Sequence, residues 1–125
     1  MKKIVIGIFE DDAVNRFIYE RLLHTRNDVE VHMFDDPEKG MAVARQMHFD
    51  IIFIEIHFWA TYGGVTILNK LKKIISAPNT TVAMAAFIQE GDRERILGAG
   101  FDFCLEKPIL FSELDLKNIA DAASR

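Results

Sequence analysis

Three consecutive carboxylates, Glu10-Asp11-Asp12, a fourth at Glu55, and the cation of Glu106-Lys107-Pro108 are the residues of this chain best suited to chemistry. Each group stands at the end of an apolar run. Carboxylate oxygens are hard ligands, so three or four of them facing one ammonium form a site suited to a divalent cation. Crowded together without a cation, at least one would have a raised pKa. A single acidic loop is as readily an ordinary solvated surface. Several strand ends converging on one crevice favour a site instead.

The elements that must position these residues alternate from end to end. Ile4-Phe9, Val29-Phe34, Asp50-Ile56, Thr81-Phe87 and Phe101-Leu105 read as strands. Ile4-Phe9 and Ile51-Ile54 are continuously apolar, as in a parallel sheet covered on both faces. A first helix is expected after Asp12, with Val14, Phe17, Ile18 and Leu22 inward. Asp36-Pro37 caps a second, burying Met41, Ala44 and Met47. Gly63-Gly64 precedes a third, with Val65, Leu68, Leu71 and Ile75 inward. Asp92 to Leu97 forms a short charged fourth, stopped by Gly100. For the fifth, Ser112 and Asp115 resemble a capping box, with Phe111 and Leu116 as its hydrophobic staple. Strict alternation predicts right-handed crossovers and a doubly wound α/β sheet. In such sheets the crevice lies beyond the carboxyl ends of the strands, where the charged residues stand.

Composition sets the outer bounds. The 125 residues suit one domain, 1–125, with a real core; half are hydrophobic and 27% are charged, which argues against disorder. A net charge of -4 gives no basic footprint for nucleic acid. No apolar run approaches the ~20 residues of a membrane span. Met1-Lys2-Lys3 and the following apolar run resemble a short signal peptide, but the run ends in acids, so it reads as a strand. Cys104 is the single cysteine, which excludes an internal disulfide and points to the cytoplasm. His24, His32, His48 and His57 lack metal-ligand spacing.

Glu10 to Arg16 is similar to the acidic-pair segment that opens receiver domains of two-component signalling. Asp50 to Ile56 looks like the strand ending in their phospho-acceptor. Ala99-Gly100-Phe101-Asp102, with Leu105-Glu106-Lys107-Pro108, resembles their closing strand. The resemblance runs from about Ile4 to Ala122. It implies a flavodoxin-like (βα)5 fold with five parallel strands in the order 2-1-3-4-5. In that family a histidine kinase donates a phosphoryl group to an aspartate, with magnesium held by the acidic pair and the acceptor. Carried over, the acidic pair is Glu10 and Asp11, the acceptor position Glu55, the lysine Lys107, and Pro108 follows a cis bond that turns Lys107 inward.

Four positions depart from that pattern. Glu55 replaces aspartate, moving the carboxylate about 1.5 Å outward, where transfer loses about 100-fold per 1 Å of misplacement. It also carries about -1, against the ≈ -1.5 to -2 of a phosphate. Ala85 lacks the hydroxyl that bonds the phosphoryl group, and Cys104 replaces the switching aromatic. Cys104 reads as a buried core residue, with redox chemistry as the sharper alternative. Trp59 replaces a proline and is either a lid or partner anchor, or simple packing over the loop.

The resulting expectation is an atypical receiver: a non-enzymatic interaction module with Glu55 paired to Lys107. It should need no cofactor, and should bind magnesium weakly or not at all through Glu10, Asp11 and Glu55. Expected partners are a histidine kinase, a phosphotransfer domain or an output domain. The contact face would be the fourth helix, fifth strand and fifth helix, and a second copy of the chain is a further candidate. The alternative is a phosphoacceptor using Glu55, Asp11 or Asp12. A flavin or nucleotide binder fits less well, because no glycine-rich loop follows the first strand.

Overall fold

The computed structural model describes residues 2–122. Strands β1 (Ile4–Phe9), β2 (Val29–Phe34), β3 (Ile51–Glu55), β4 (Thr80–Ala85) and β5 (Phe103–Glu106) alternate with five helices. These are α1 (Ala13–His24), α2 (Pro37–Gln46), α3 (Gly63–Lys72), α4 (Asp92–Gly98) and α5 (Leu116–Ala122). The strands form one sheet in the order β2-β1-β3-β4-β5, and every pair is parallel. This is the expected doubly wound, flavodoxin-like order.

Period-two alternation along the strands divides the core into two layers. Ile6 and Ile8, Ile51 and Phe53, and Val82 and Met84 face Tyr19, Leu23, Leu116 and Ala120 of α1 and α5. Phe9, Ile52, Ile54, Ala83, Ala85 and Cys104 face Met41, Ala44, Leu68, Leu71 and Ile96 of α2, α3 and α4. Burying each large apolar side chain contributes about 1.5–3 kcal/mol.

Two aspartates fix the entry to strands. The Asp50 carboxylate accepts the Val5 N–H at 2.8 Å, and that of Asp102 accepts the Thr81 N–H at 2.8 Å. Both side chains clamp a neighbouring strand. The ladders accordingly begin at Ile51 and Phe103, later than expected. Strand β4 ends at Ala85, because Phe87 adopts a left-handed backbone (φ 52°) and turns outward.

Most caps fall where the sequence places them. Asp12 accepts the Val14 N–H at 2.9 Å and Asp36 the Lys39 N–H at 2.9 Å, with Pro37 opening α2. Gly100 follows α4 with φ 118°. Three expectations are corrected. Ser112 does not cap α5; the Asp115 carboxylate does, accepting the Asn118 N–H at 3.3 Å. Phe111 and Leu116 are both fully buried. In α1 the sheet is met by Tyr19 and Leu23, with Leu22 half-buried, while Val14, Phe17 and Ile18 are exposed. Ile75 likewise lies beyond α3 and is fully exposed.

Candidate functional site

Backbone bonds extend the ladders just far enough to bring the charged residues together. Glu10 N–H donates to the Phe34 carbonyl at 3.0 Å, Ile56 N–H to Met84 at 2.9 Å, and Lys107 N–H to Ala85 at 2.8 Å. The ends of β1, β3 and β5 therefore converge. The Lys107–Pro108 peptide bond is cis. Helix α3 approaches the same end closely: a Cβ on Gly64 would stand 2.6 Å from the Glu55 carbonyl oxygen, so only glycine fits there.

At the convergence Lys107 lies between two buried carboxylates. Its Nζ is 2.8 Å from Glu10 Oε1 and 3.2 Å from Glu55 Oε2. Glu10 is 1% exposed and Glu55 8%. The Glu10 contact is a hydrogen bond; Glu55 Oε2 faces the ammonium as an ion pair without hydrogen-bond alignment. Glu55 Oε1 accepts the His57 N–H at 3.4 Å. Burial pushes the Glu10 carboxyl up, against the opposing pull of Lys107. Burial alone would lower the Lys107 ammonium; its bond to Glu10 and the charges of Glu10 and Glu55 outweigh that and hold it raised.

The other two carboxylates are engaged elsewhere. Asp11 Oδ2 accepts the Trp59 N–H at 3.0 Å, and Asp12 caps α1. Trp59 sits in the left-handed region (φ 65°), its indole N–H donating to the Asp35 carbonyl at 2.7 Å. Tyr62, also left-handed, donates its N–H to His57 Nδ1 at 3.0 Å. The β3–α3 loop is thus tied to the β1–α1 and β2–α2 loops.

Such an arrangement does not fit a divalent cation. Magnesium needs near-octahedral oxygens at about 2.0–2.1 Å. Here Lys107 occupies Glu10 and Glu55, while Asp11 is turned to Trp59. Among the described residues no group of three His, Cys, Asp or Glu side chains is arranged to hold a metal ion.

Ala85 is buried and helps line a cavity of about 30 Å³ with His57, Tyr62, Ile88 and Ile96, offering it only a methyl group. Cys104 is buried in the same apolar cluster as Ala85 and Ile96. Burial raises its thiol pKa, the opposite of what a reactive thiolate needs. Of the histidines, His24, His48 and His57 are exposed and His32 is half-buried beside Glu30 at 2.7 Å.

Sequence reasoning missed two participants. Tyr19 is one: burial, with the negative charges of Glu10 and Glu55 nearby, holds its phenol strongly raised. Arg16 Nη1 donates to the Glu10 carbonyl at 3.1 Å. The apolar stripe Val14-Phe17-Ile18 had pointed to the wrong face of α1. The pair Tyr19 and Leu23, four residues apart, was the available signal.

Comparison with known proteins adds the family. A family model described as response regulator receiver domain matches residues 6–118. A sensor histidine kinase, AruS of Pseudomonas aeruginosa, is 28% identical over 110 residues, which are 86% of this chain and 11% of that relative. The chain thus spans about a ninth of that protein's length. Among solved structures, the receiver domain of another P. aeruginosa sensor histidine kinase, with magnesium coordinated in its active-site cleft, superposes with a TM-score of 0.75. It is 22% identical, covering 98% of this chain and 99% of that one. A receiver domain from Methylobacillus flagellatus gives a TM-score of 0.70 at 19% identity, covering 95% and 99%. The structural likenesses carry the fold alone, but the family model spans nearly every element from β1 to α5. With five parallel strands in this order and an acidic crevice closed by a lysine, the chain belongs to the response regulator receiver domain family.

Proposed function

We propose that this receiver domain does not run an aspartyl-phosphate switch and serves two-component signalling as a non-enzymatic interaction module in the cytoplasm. The observation that carries this reading is Lys107, held between Glu10 Oε1 and Glu55 Oε2. Phosphoryl transfer depends on positioning and on electrostatic stabilisation of the transferred group. Lys107 is already held by Glu10 and faced by Glu55, and the longer side chain occupies the space an incoming group needs. Ala85 supplies no hydroxyl, and Cys104 no aromatic ring to swing. Glu55 is thus a fixed, partial stand-in for the phosphorylated residue. Histidine kinases, phosphotransfer domains or output domains are the partners, engaged through α4, β5 and α5.

Incubation with acetyl phosphate followed by intact-mass measurement tests the reading. No phosphoryl adduct is expected. A stable adduct mapped to Glu55, Asp11 or Asp12 would restore the phosphoacceptor alternative.

A further inference from the structure

Helix α1 carries two apolar stripes on opposite faces. At about 100° per residue, Tyr19 and Leu23 point at the sheet. Val14, Phe17, Ile18 and Arg21 share the far side. These three apolar side chains are 65%, 61% and 45% exposed. Their spacing, i, i+3, i+4 and i+7, is that of a helix face made to meet another helix. Scattered exposed apolar residues are ordinary; a contiguous patch along one helix marks a contact surface. The Arg21 guanidinium lies 5.8 Å from the centre of the Phe17 ring.

Charge around the patch selects the occupant. Its N-terminal end is acidic, with exposed Asp11 and Asp12, and its C-terminal end is basic, with exposed Arg21 and His24. A face with an apolar middle, a negative start and a positive end is complementary to itself turned end for end. The helix dipoles then also oppose favourably.

We propose that α1 is the contact face of a two-fold dimer of this chain, its two copies packed antiparallel with Phe17 and Ile18 at the axis. In that register Phe17 meets the partner's Ile18, and Val14 meets the stem of the partner's Arg21. The Arg21 guanidinium reaches toward the partner's Asp11, one turn beyond. The interface is isologous, so each contact occurs twice. None of this depends on the chemistry of the crevice.

Sedimentation equilibrium of the whole chain, from about 1 to 300 µM, spans the micromolar dissociation constant expected of one helix pair. Phe17→Glu should weaken the dimer at least ~30-fold, as losing a central aromatic anchor does, with the far-UV circular dichroism unchanged. Arg21→Glu, on the same exposed face, should also weaken it. Ile18→Cys should cross-link through an intermolecular disulfide under mild oxidation, much faster than a cysteine at exposed Ile75. Leu97→Glu on α4 should leave the dimer intact. A wild-type monomer across the whole range would overturn the proposal. So would a dimer that survives Phe17→Glu, or one that Leu97→Glu dissolves instead.

Discussion

At the scale of single residues, the crevice is a charge balance with one cation for two buried carboxylates. A buried ion pair is weak evidence of stability, because desolvation offsets its attraction. Removing one partner is another matter. Lys107→Met would leave Glu10 and Glu55 buried without a cation, and should cost about 3 kcal/mol in urea unfolding at neutral pH. Wild-type stability should also depend on alkaline pH. Lys107 and Tyr19 both hold their protons more tightly in the folded chain. Between their unfolded values, about 10 and 10.4, and the raised folded ones, the native state binds protons that the unfolded chain has released. Stability is therefore fully present below about pH 10 and falls as pH rises, by up to about 1.4 kcal/mol per pH unit for each group. Tyr19→Phe should remove the tyrosine's share of that slope. A slope unchanged in that variant would mean that the phenol does not hold its proton against Glu10.

At the scale of elements, the β3–α3 loop decides what Asp11 is free to do. Three tethers set this loop: Asp11 to the Trp59 amide, Asp35 to the indole, and His57 to the Tyr62 amide. A left-handed backbone at a non-glycine residue costs roughly 1–2 kcal/mol, which the tethers at Trp59 and Tyr62 offset. For a divalent cation to recruit Asp11, the Trp59 amide would have to be released. Trp59 is the only tryptophan, so its fluorescence reports on that event. Magnesium added to about 10 mM should leave the emission of the wild type unchanged, since the hydrated ion gives up its waters reluctantly. Asp11→Ala, which frees the amide directly, should shift the emission without any metal. A saturable magnesium response of the wild type at micromolar concentration would show that Asp11 is available after all. The same loop shows where sequence stops informing. Trp59 was legible as a departure from the family pattern. Its hydrogen bond to the carbonyl of Asp35 was not, because a carbonyl carries no sequence signal.

At the scale of the whole molecule, the fold was legible because patterning, caps and turns agreed. Asp12, Asp36-Pro37 and Gly100 mark helix ends by backbone rules that tertiary packing did not override. The failures share one cause: a residue's side chain was used somewhere its own segment does not show. Asp50 and Asp102 clamp neighbouring strands, and α1 hides its true inward face behind a stronger apolar stripe. The site was legible in identity, since Glu10, Glu55 and Lys107 do meet. The reach of Asp11 and the hydroxyl of Tyr19 depended on packing between elements. How far the crevice is coupled to the rest of the fold can be tested by rebuilding it. Glu55→Asp shortens the acceptor by one methylene and takes it away from Lys107, so some labelling by acetyl phosphate should appear. It should leave the β4–α4 region unmoved, because a ligand shifts an equilibrium only through contacts that differ between its two states. Ala85 supplies none. Adding Ala85→Thr places a hydroxyl at the end of β4, beside the cavity lined by His57, Ile88 and Ile96. That site is tight, so the extra atoms should cost about 1–3 kcal/mol in the unmodified protein. Phosphoryl contact with the new hydroxyl should then alter amide hydrogen exchange from Ala85 through Cys104 in the double variant alone. Exchange that changes equally in the single variant would show that charge at position 55 moves the fold without a hydroxyl, and would shift the lost element from Ala85 to Glu55 itself.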